Sequence, residues 1–350
     1  MFKILAKWLC FGVCIFFLAL YFAKIISKGC SGGVSIEDEI SFFQHNIIPP
    51  YEGEDAWDFQ FPLNRNFSAG EYFMASIGSS WIDVLLILEV FFPKKKQRFF
   101  AEAGGADGEL FGNTIYLEKF KSWNGILIEA DPFYFHELLY KRRKTYAVKV
   151  CLSTSDSSYS ARFQHEGILY KKNGRMRKNT NKGNGRVLYN ERGHSGFGKD
   201  LKDKKGTERY GEVVTVSCFP FSTVLNKINI TEVDVFFLDV EGQELGVLRT
   251  IPFQDISIHI IVVEYDGRAD YLQQIREFLG AVGYELHDVF HSSWTLGDAL
   301  FVQKGDYSKS RLKTISNDEI KRIIFKGTGS ESTLDGIPNL RDILISQESA

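Results

Sequence analysis

The sequence predicts a doubly wound α/β fold, and three observations carry the prediction. Apolar runs such as "VDVFFLDVEG" (233–242) and "IHIIVVEYD" (258–266) lack the polar alternation of a half-exposed strand. Strands of that kind are buried on both faces, as in a parallel sheet covered by helices. The runs alternate with helix-patterned segments, which is the βαβ rhythm. Third, Gly104, Gly105 and Gly108 cluster where the first strand of the domain gives way to its helix.

The N-terminal segment "KWLCFGVCIFFLALYFAKII" carries no charge between Lys7 and Lys24. About twenty residues of this composition span a bilayer as a helix. Tyr21 and Ala23 do not form the small-x-small pattern of a signal-peptide cleavage site. Residues 1–28 therefore read as a single-pass signal-anchor. The flanking lysines are balanced, but the short stub before the anchor favours a type II orientation with the body on the far side. The sequons Asn66-Phe67-Ser68 and Asn229-Ile230-Thr231 are compatible with a lumenal body, in endoplasmic reticulum, Golgi or endosomal membranes.

Residues 29–80 mix Gly, Pro and acids and read as a stalk. The domain is expected over 81–305, opening on the helix "WIDVLLILEVFF" (81–92), which Pro93 ends. "RFFAEAGG" reads as a strand, 109–121 as a helix, and "GILIEAD" (125–131) as a second strand. Pro132 then opens "FYFHELLYKRR" at the first helical position that proline favours. "YAVKVCLS" (146–153) is a third strand and "ARFQHEG" the start of an added hairpin. "VVTVSCF" leads into the helix "FSTVLNKI", the two apolar strands follow with a helix after each, and "YELHDVF" with "DALFVQK" closes the domain.

One stretch interrupts this order. Between Glu166 and Tyr210 stand thirteen Lys/Arg and five Asp/Glu, a net of +8. It reads as a flexible basic insertion, either a solvated loop or a lid or contact for an anionic partner. Residues 306–350 form a polar tail. The whole chain carries a net charge of −2, which gives no general field for nucleic acid. Of five cysteines only Cys151 and Cys218 lie in the body, and no CxxC pair exists, so no structural zinc site is expected. The two body cysteines are open to pairing or to burial as free thiols.

In a doubly wound sheet, ligands bind at the carboxyl ends of the strands. Dinucleotide folds place GxGxxG there so that a pyrophosphate can lie on the helix N-terminus. The spacing of Gly104, Gly105 and Gly108 does not fit, and Glu102 and Asp107 would repel a pyrophosphate. An NAD-dependent oxidoreductase is thus disfavoured. A cationic nucleoside without phosphate suits the acids better, and S-adenosylmethionine (SAM) is such a ligand. Glu129 ends the second strand, where an acid reads a ribose diol.

These segments resemble the FkbM-type methyltransferases. "FFAEAGGADGELFGNTIYLEKFKSWNGILIEADPFYFHELL" is similar to that family's acid-x-Gly-x-x-Asp-Gly turn and "IEA-P" strand. "VDVFFLDVEGQELGVLRTI" is similar to its "DVEGxE" segment, and "IIVVEYD" to the acidic strand that follows. The resemblance spans roughly 80–304 and implies a Rossmann-like class I methyltransferase fold with a mostly parallel seven-stranded sheet. The anchor and stalk in front resemble the plan of the animal protein Star and its relatives. Family resemblance implies SAM-dependent O-methylation of a glycan, lipid or small-molecule hydroxyl. The likeness to Star implies instead a secretory-pathway trafficking factor that binds a protein partner.

In the enzymatic picture Glu102, Gly104, Asp107 and Gly108 hold the methionine end of SAM, and Glu129 holds the ribose. Ser153 or Asp156 approaches the adenine. Asp239 is the first choice for the base that removes the hydroxyl proton, with Glu241 and His165 behind it. Asp239, Glu241 and Glu264 at adjacent strand ends leave a divalent cation open, but no spacing demands one, and no metal is assigned.

Overall fold

The computed structural model describes residues 36–59, 88, 91–92, 97–109, 112–164, 169–172, 175–178, 186–188, 208–210, 213–265, 267–293 and 296–305. The predicted signal-anchor, most of the 81–92 helix, His165 and the C-terminal tail lie outside them. Among the described residues no helix is long and apolar enough to cross a membrane. The chain divides into two units, Met1–Ile40 and Ser41–Ala350. Of the first, only the opening of helix α1 (Ile36–Asn46) falls among the described residues.

The second unit is built on an eight-stranded mixed sheet. Its strands are β1 (Ile47–Ile48), β2 (Phe99–Ala103), β3 (Asn124–Glu129), β4 (Tyr146–Lys149), β12 (Glu232–Leu238), β13 (Ser257–Tyr265), β14 (Tyr284–Ser293) and β15 (Leu296–Gln303). Across the sheet they run β1-β4-β3-β2-β12-β13-β15-β14. The five from β4 to β13 are parallel, while β1, β15 and β14 pair antiparallel. The expected seven strands are therefore eight, and the addition is β1. It comes from the segment read as stalk, and two residues are too short to leave a periodic signal.

The central strands are buried on both faces, as their unbroken apolar runs require: every residue of β2 is buried, and all of β12 after Glu232. Alternate residues feed two apolar layers. Ala101, Ile126, Phe236 and Ile261 face one layer, and Phe100, Leu127, Phe237 and Ile260 the other. Helices α2 (Ile115–Lys121), α3 (Pro132–Tyr140), α4 (Phe221–Asn226), α5 (Glu244–Leu248) and α6 (Ala269–Ala281) connect the strands. In α3 Pro132 does open the helix, and the Asp131 carboxylate caps it by accepting from the Phe133 N–H at 2.8 Å. Helix α2 is shorter than the 109–121 expected: it starts at Ile115, and Asn113–Thr114 before it form a bend.

The predicted third strand is broken at Val150, and its end becomes β5 (Cys151–Leu152) of a second sheet. This sheet adds β6 (Tyr159–Gln164), β9 (Arg186–Leu188) and β11 (Val213–Phe219) in the order β5-β11-β6-β9. Inside the basic insertion β7 (Leu169–Lys172), β8 (Arg175–Lys178) and β10 (Glu208–Tyr210) make a third sheet, so the stretch is not structureless. Cys151 and Cys218 are register partners on parallel β5 and β11, 4.3 Å apart at Cα, and are joined as a disulfide. That settles the alternative the sequence left open.

Candidate cofactor site

The strand order reverses between β2 and β12, which is where a doubly wound sheet opens its crevice. The two strands are in register to their ends, Ala103 opposite Leu238. The chain beyond each then lies side by side, with the Asp239 N–H donating to the Ala103 carbonyl at 3.1 Å. Gly104 follows with φ +87°, and a Cβ there would run into the Asp239 carbonyl oxygen. Only glycine meets both demands. Gly108, at φ +75°, closes the turn, and its Cβ would lie 2.9 Å from Leu138 Cγ on α3.

Glu129, at the end of β3, reaches into this turn. Its Oε2 accepts from the Ala106 N–H and its Oε1 from the Asp131 N–H, both at 2.7 Å. Burial pushes its pKa from the ordinary 4.5 up to about 8, and the charges of Asp131 and Asp239 push the same way. The two N–H bonds oppose that rise without cancelling it.

Asp239 holds the other side. Burial raises its carboxyl well above the usual range, as do the neighbouring Glu264, Glu244 and Asp298. Asp239 and Glu264 are hydrogen-bonded to each other, and Glu264 is raised to about 7, chiefly by burial. Two neighbouring acids cannot both ionise cheaply, and each disfavours the charged form of the pair. Asp239 Oδ1 is sealed from solvent with no hydrogen-bond partner among the described residues. A buried acceptor left in that state asks for a donor or a cation.

The remaining candidates fall elsewhere. Glu102 is buried with both oxygens engaged: Oε1 accepts from the Asn113 N–H at 2.7 Å and its side-chain amide at 2.9 Å, and Oε2 from Thr114 Oγ1 at 2.5 Å. It anchors the loop before α2. Asp107 Oδ1 accepts from the Glu109 N–H at 2.9 Å, and its Oδ2 lies 3.9 Å from Lys141 Nζ. The Ser153 hydroxyl is buried, donates within its own turn to the Ser155 and Ser157 carbonyls at 2.7 and 2.8 Å, and accepts from the Ser155 N–H at 3.0 Å. Asp156 is exposed in that turn. Glu241 is exposed with φ 56°, and its charge adds to the rise of Glu264.

Glu244 is the residue sequence reasoning missed. Its buried Oε1 accepts from the Val240 and Gly242 N–H groups at 3.0 and 2.9 Å, and its Oε2 from Tyr271 Oη at 2.9 Å. It folds the loop that carries Asp239. The signal was the last acid of "DVEGQE", five residues after Asp239. Among the described residues one His/carboxylate group has ligand atoms within 4.8 Å of one another, Glu232, Asp234 and His259. It starts at the opposite end of β12, and Arg98 already pairs with Asp234.

The search of curated proteins found no significant match. Among solved structures, a precorrin-6y C5,15-methyltransferase from Geobacter metallireducens is 10% identical at a TM-score of 0.34, over 63% of this chain and 87% of that one. A human methyltransferase 10 domain containing protein is 11% identical at 0.34, over 64% and 80%. A magnesium protoporphyrin IX methyltransferase from Synechocystis, with SAH (S-adenosylhomocysteine) bound, is 9% identical at 0.32, over 67% and 84%. Residues 102–286, from Glu102 in β2 into β14, match the model of the methyltransferase FkbM domain. The glycine turn, Glu129 and Asp239 all lie inside that span, and the chain belongs to this family.

Proposed function

We propose that the chain is a membrane-anchored, SAM-dependent O-methyltransferase that acts on a hydroxyl of a glycan, lipid or small molecule. The observation that carries the reading is the convergence of Gly104, the Glu129-braced turn and Asp239 at the ends of β2, β3 and β12. The fit to a sulfonium nucleoside rests on the orphaned Asp239 Oδ1 and on two carboxyls, Glu129 and Asp239, whose ionised forms are disfavoured by burial in the absence of a cation. A cation drawn among them relieves the repulsion that raises their pKa values. Gly104, Asp107 and Gly108 would hold the methionine end and Glu129 the ribose.

When bound, SAM supplies an electrophilic methyl group, so what is asked of the chain is mostly alignment. Asp239, with its raised pKa, is a stronger base than an ordinary carboxylate and suits removal of the acceptor's proton. The charge of Glu264 helps keep the Asp239 pKa raised, and Glu244 holds the loop in place. The anchor read at residues 1–28 and the Cys151–Cys218 bridge support a lumenal, type II placement, since disulfides persist in oxidising compartments.

A second reading, a Star-like secretory-pathway binding protein on the same scaffold, draws on one observation. Glu102 and Ser153 are both spent on protein donors and acceptors. Methyl transfer from labelled SAM to membrane and glycan extracts separates the two. The enzyme reading expects label that falls ~100-fold or more in Asp239→Asn, the range for loss of a general base. No label above background with any extract would favour the scaffold.

A further inference from the structure

Arg143 follows α3 and touches none of the residues assigned to cofactor or acceptor by side chain, yet it is buried to 4% exposure. Its guanidinium fans out to three acceptors. Nε donates to Glu118 Oε2 at 2.7 Å, Nη1 to the Gly108 carbonyl at 2.5 Å and Nη2 to Thr114 Oγ1 at 2.9 Å. Each acceptor belongs to a different part of the frame. Glu118 lies in the first turn of α2, Thr114 is that helix's N-cap, and Gly108 closes the glycine turn. Thr114 Oγ1 passes the link on by donating to Glu102. Glu118 is itself fixed, its Oε1 accepting from Trp57 Nε1 at 2.7 Å and from the Lys144 N–H at 2.6 Å.

The guanidinium and the Glu118 carboxylate are each 1% exposed, so this ion pair is dry. A planar fork of five N–H donors can serve three directions at once, whereas an ammonium on a flexible stem cannot hold the same angles. Residue 108 sits in a left-handed conformation that glycine takes without strain; its N–H is spent on the Gly105 carbonyl at 2.9 Å, which leaves its own carbonyl for a side chain to hold. We infer that Arg143 is a positioning residue for the cofactor turn: it fixes the Gly108 carbonyl and thereby the course of the glycine turn against which the amino-acid end of SAM would lie. This rests on the cofactor reading above and deepens it, because it separates what holds the methionine end from what holds the nucleoside. Glu129 on β3 makes no bond to Arg143, Glu118 or Thr114: it meets the turn at its opening, through the Ala106 N–H, and takes its other bond from the Asp131 N–H outside the turn, so a different group faces the nucleoside.

The test is calorimetric titration of the full chain with SAH and with 5′-methylthioadenosine, which lacks the amino-acid end. In Arg143→Lys, SAH binding is expected to weaken ~10–100-fold, the loss of a charged hydrogen bond passed to the ligand, while methylthioadenosine binding stays as in the wild type. Equal weakening of both ligands, or none for SAH, overturns the inference. Removing one partner of a buried ion pair can unfold a protein. Should Arg143→Lys lose its cooperative unfolding transition, Glu118→Gln is read by the same two ligands and the same criterion. Loss of the fold in both variants would assign Arg143 to stability alone and overturn the inference too. A wild type that binds neither ligand would fail at an earlier step, sinking the cofactor reading itself.

Discussion

Gly104 shows how much one missing side chain decides. With φ +87° and the Asp239 carbonyl against it, Gly104→Ala combines a left-handed strain of ~1–3 kcal/mol with a backbone collision between β2 and β12. A lower denaturant midpoint and loss of SAH binding are expected, and an unchanged midpoint would contradict the tight approach. Glu129 sets the pH behaviour. Its folded pKa of about 8 lies above the ordinary 4.5, so its contribution to stability is fully present below 4.5 and is lost as pH rises through 8. Asp239 and Glu264, also raised, act with the same sign. The unliganded chain should therefore unfold at lower temperature at pH 8 than at pH 5, and Glu129→Gln should flatten part of that slope, as thermal melts across this range would show. Ligand binding runs the other way. A ribose diol needs the ionised carboxylate, so SAH affinity should climb as pH approaches 8.

Among the elements, the loop between β12 and α5 is held by Glu244. In Glu244→Ala the Val240 and Gly242 N–H groups and the Tyr271 hydroxyl lose their acceptor, at ~1–3 kcal/mol for each donor left buried and unmet. Urea unfolding should show a loss of at least that size, and activity should fall as Asp239 loses its support. The strands themselves were legible. β2, β12 and β13 wrote their two-sided burial as unbroken apolar runs, and Pro132 marked the start of α3. What stayed hidden was long-range partnership. β1 is too short for a pattern, and Cys151 meets Cys218 across 67 residues. Lys141 and Arg143, at the end of the predicted helix, are buried on Glu109 and Glu118. Within the site, Gly104, Glu129 and Asp239 could be read because strand ends are predictable. The hydrogen bonds of Glu102 and Ser153 within the protein could not be read, because sequence does not say which way a polar side chain is spent.

For the molecule as a whole, the second unit begins well before the predicted domain. Phe43 packs on Phe219 with ring centroids 4.6 Å apart, β1 extends the sheet, and the Tyr51 N–H donates to the Arg143 carbonyl at 3.0 Å. A chain starting after residue 60 should therefore be less stable than one starting at 41, by loss of a buried Phe and an edge strand, ~3–5 kcal/mol for the Phe alone. The disulfide ties the second sheet across β5 and β11. Its reduction should lower the unfolding free energy by ~2–4 kcal/mol in denaturant melts.

The central claim is that glycines and carboxyls at the ends of three neighbouring strands form a receptor for the nucleoside and amino-acid ends of SAM, which SAH shares. Calorimetry of the full chain with SAH tests it most directly. The account expects one class of saturable site, weakened ~10-fold or more in Glu129→Ala. No heat of binding at millimolar SAH, or binding that Glu129→Ala leaves untouched, would contradict it.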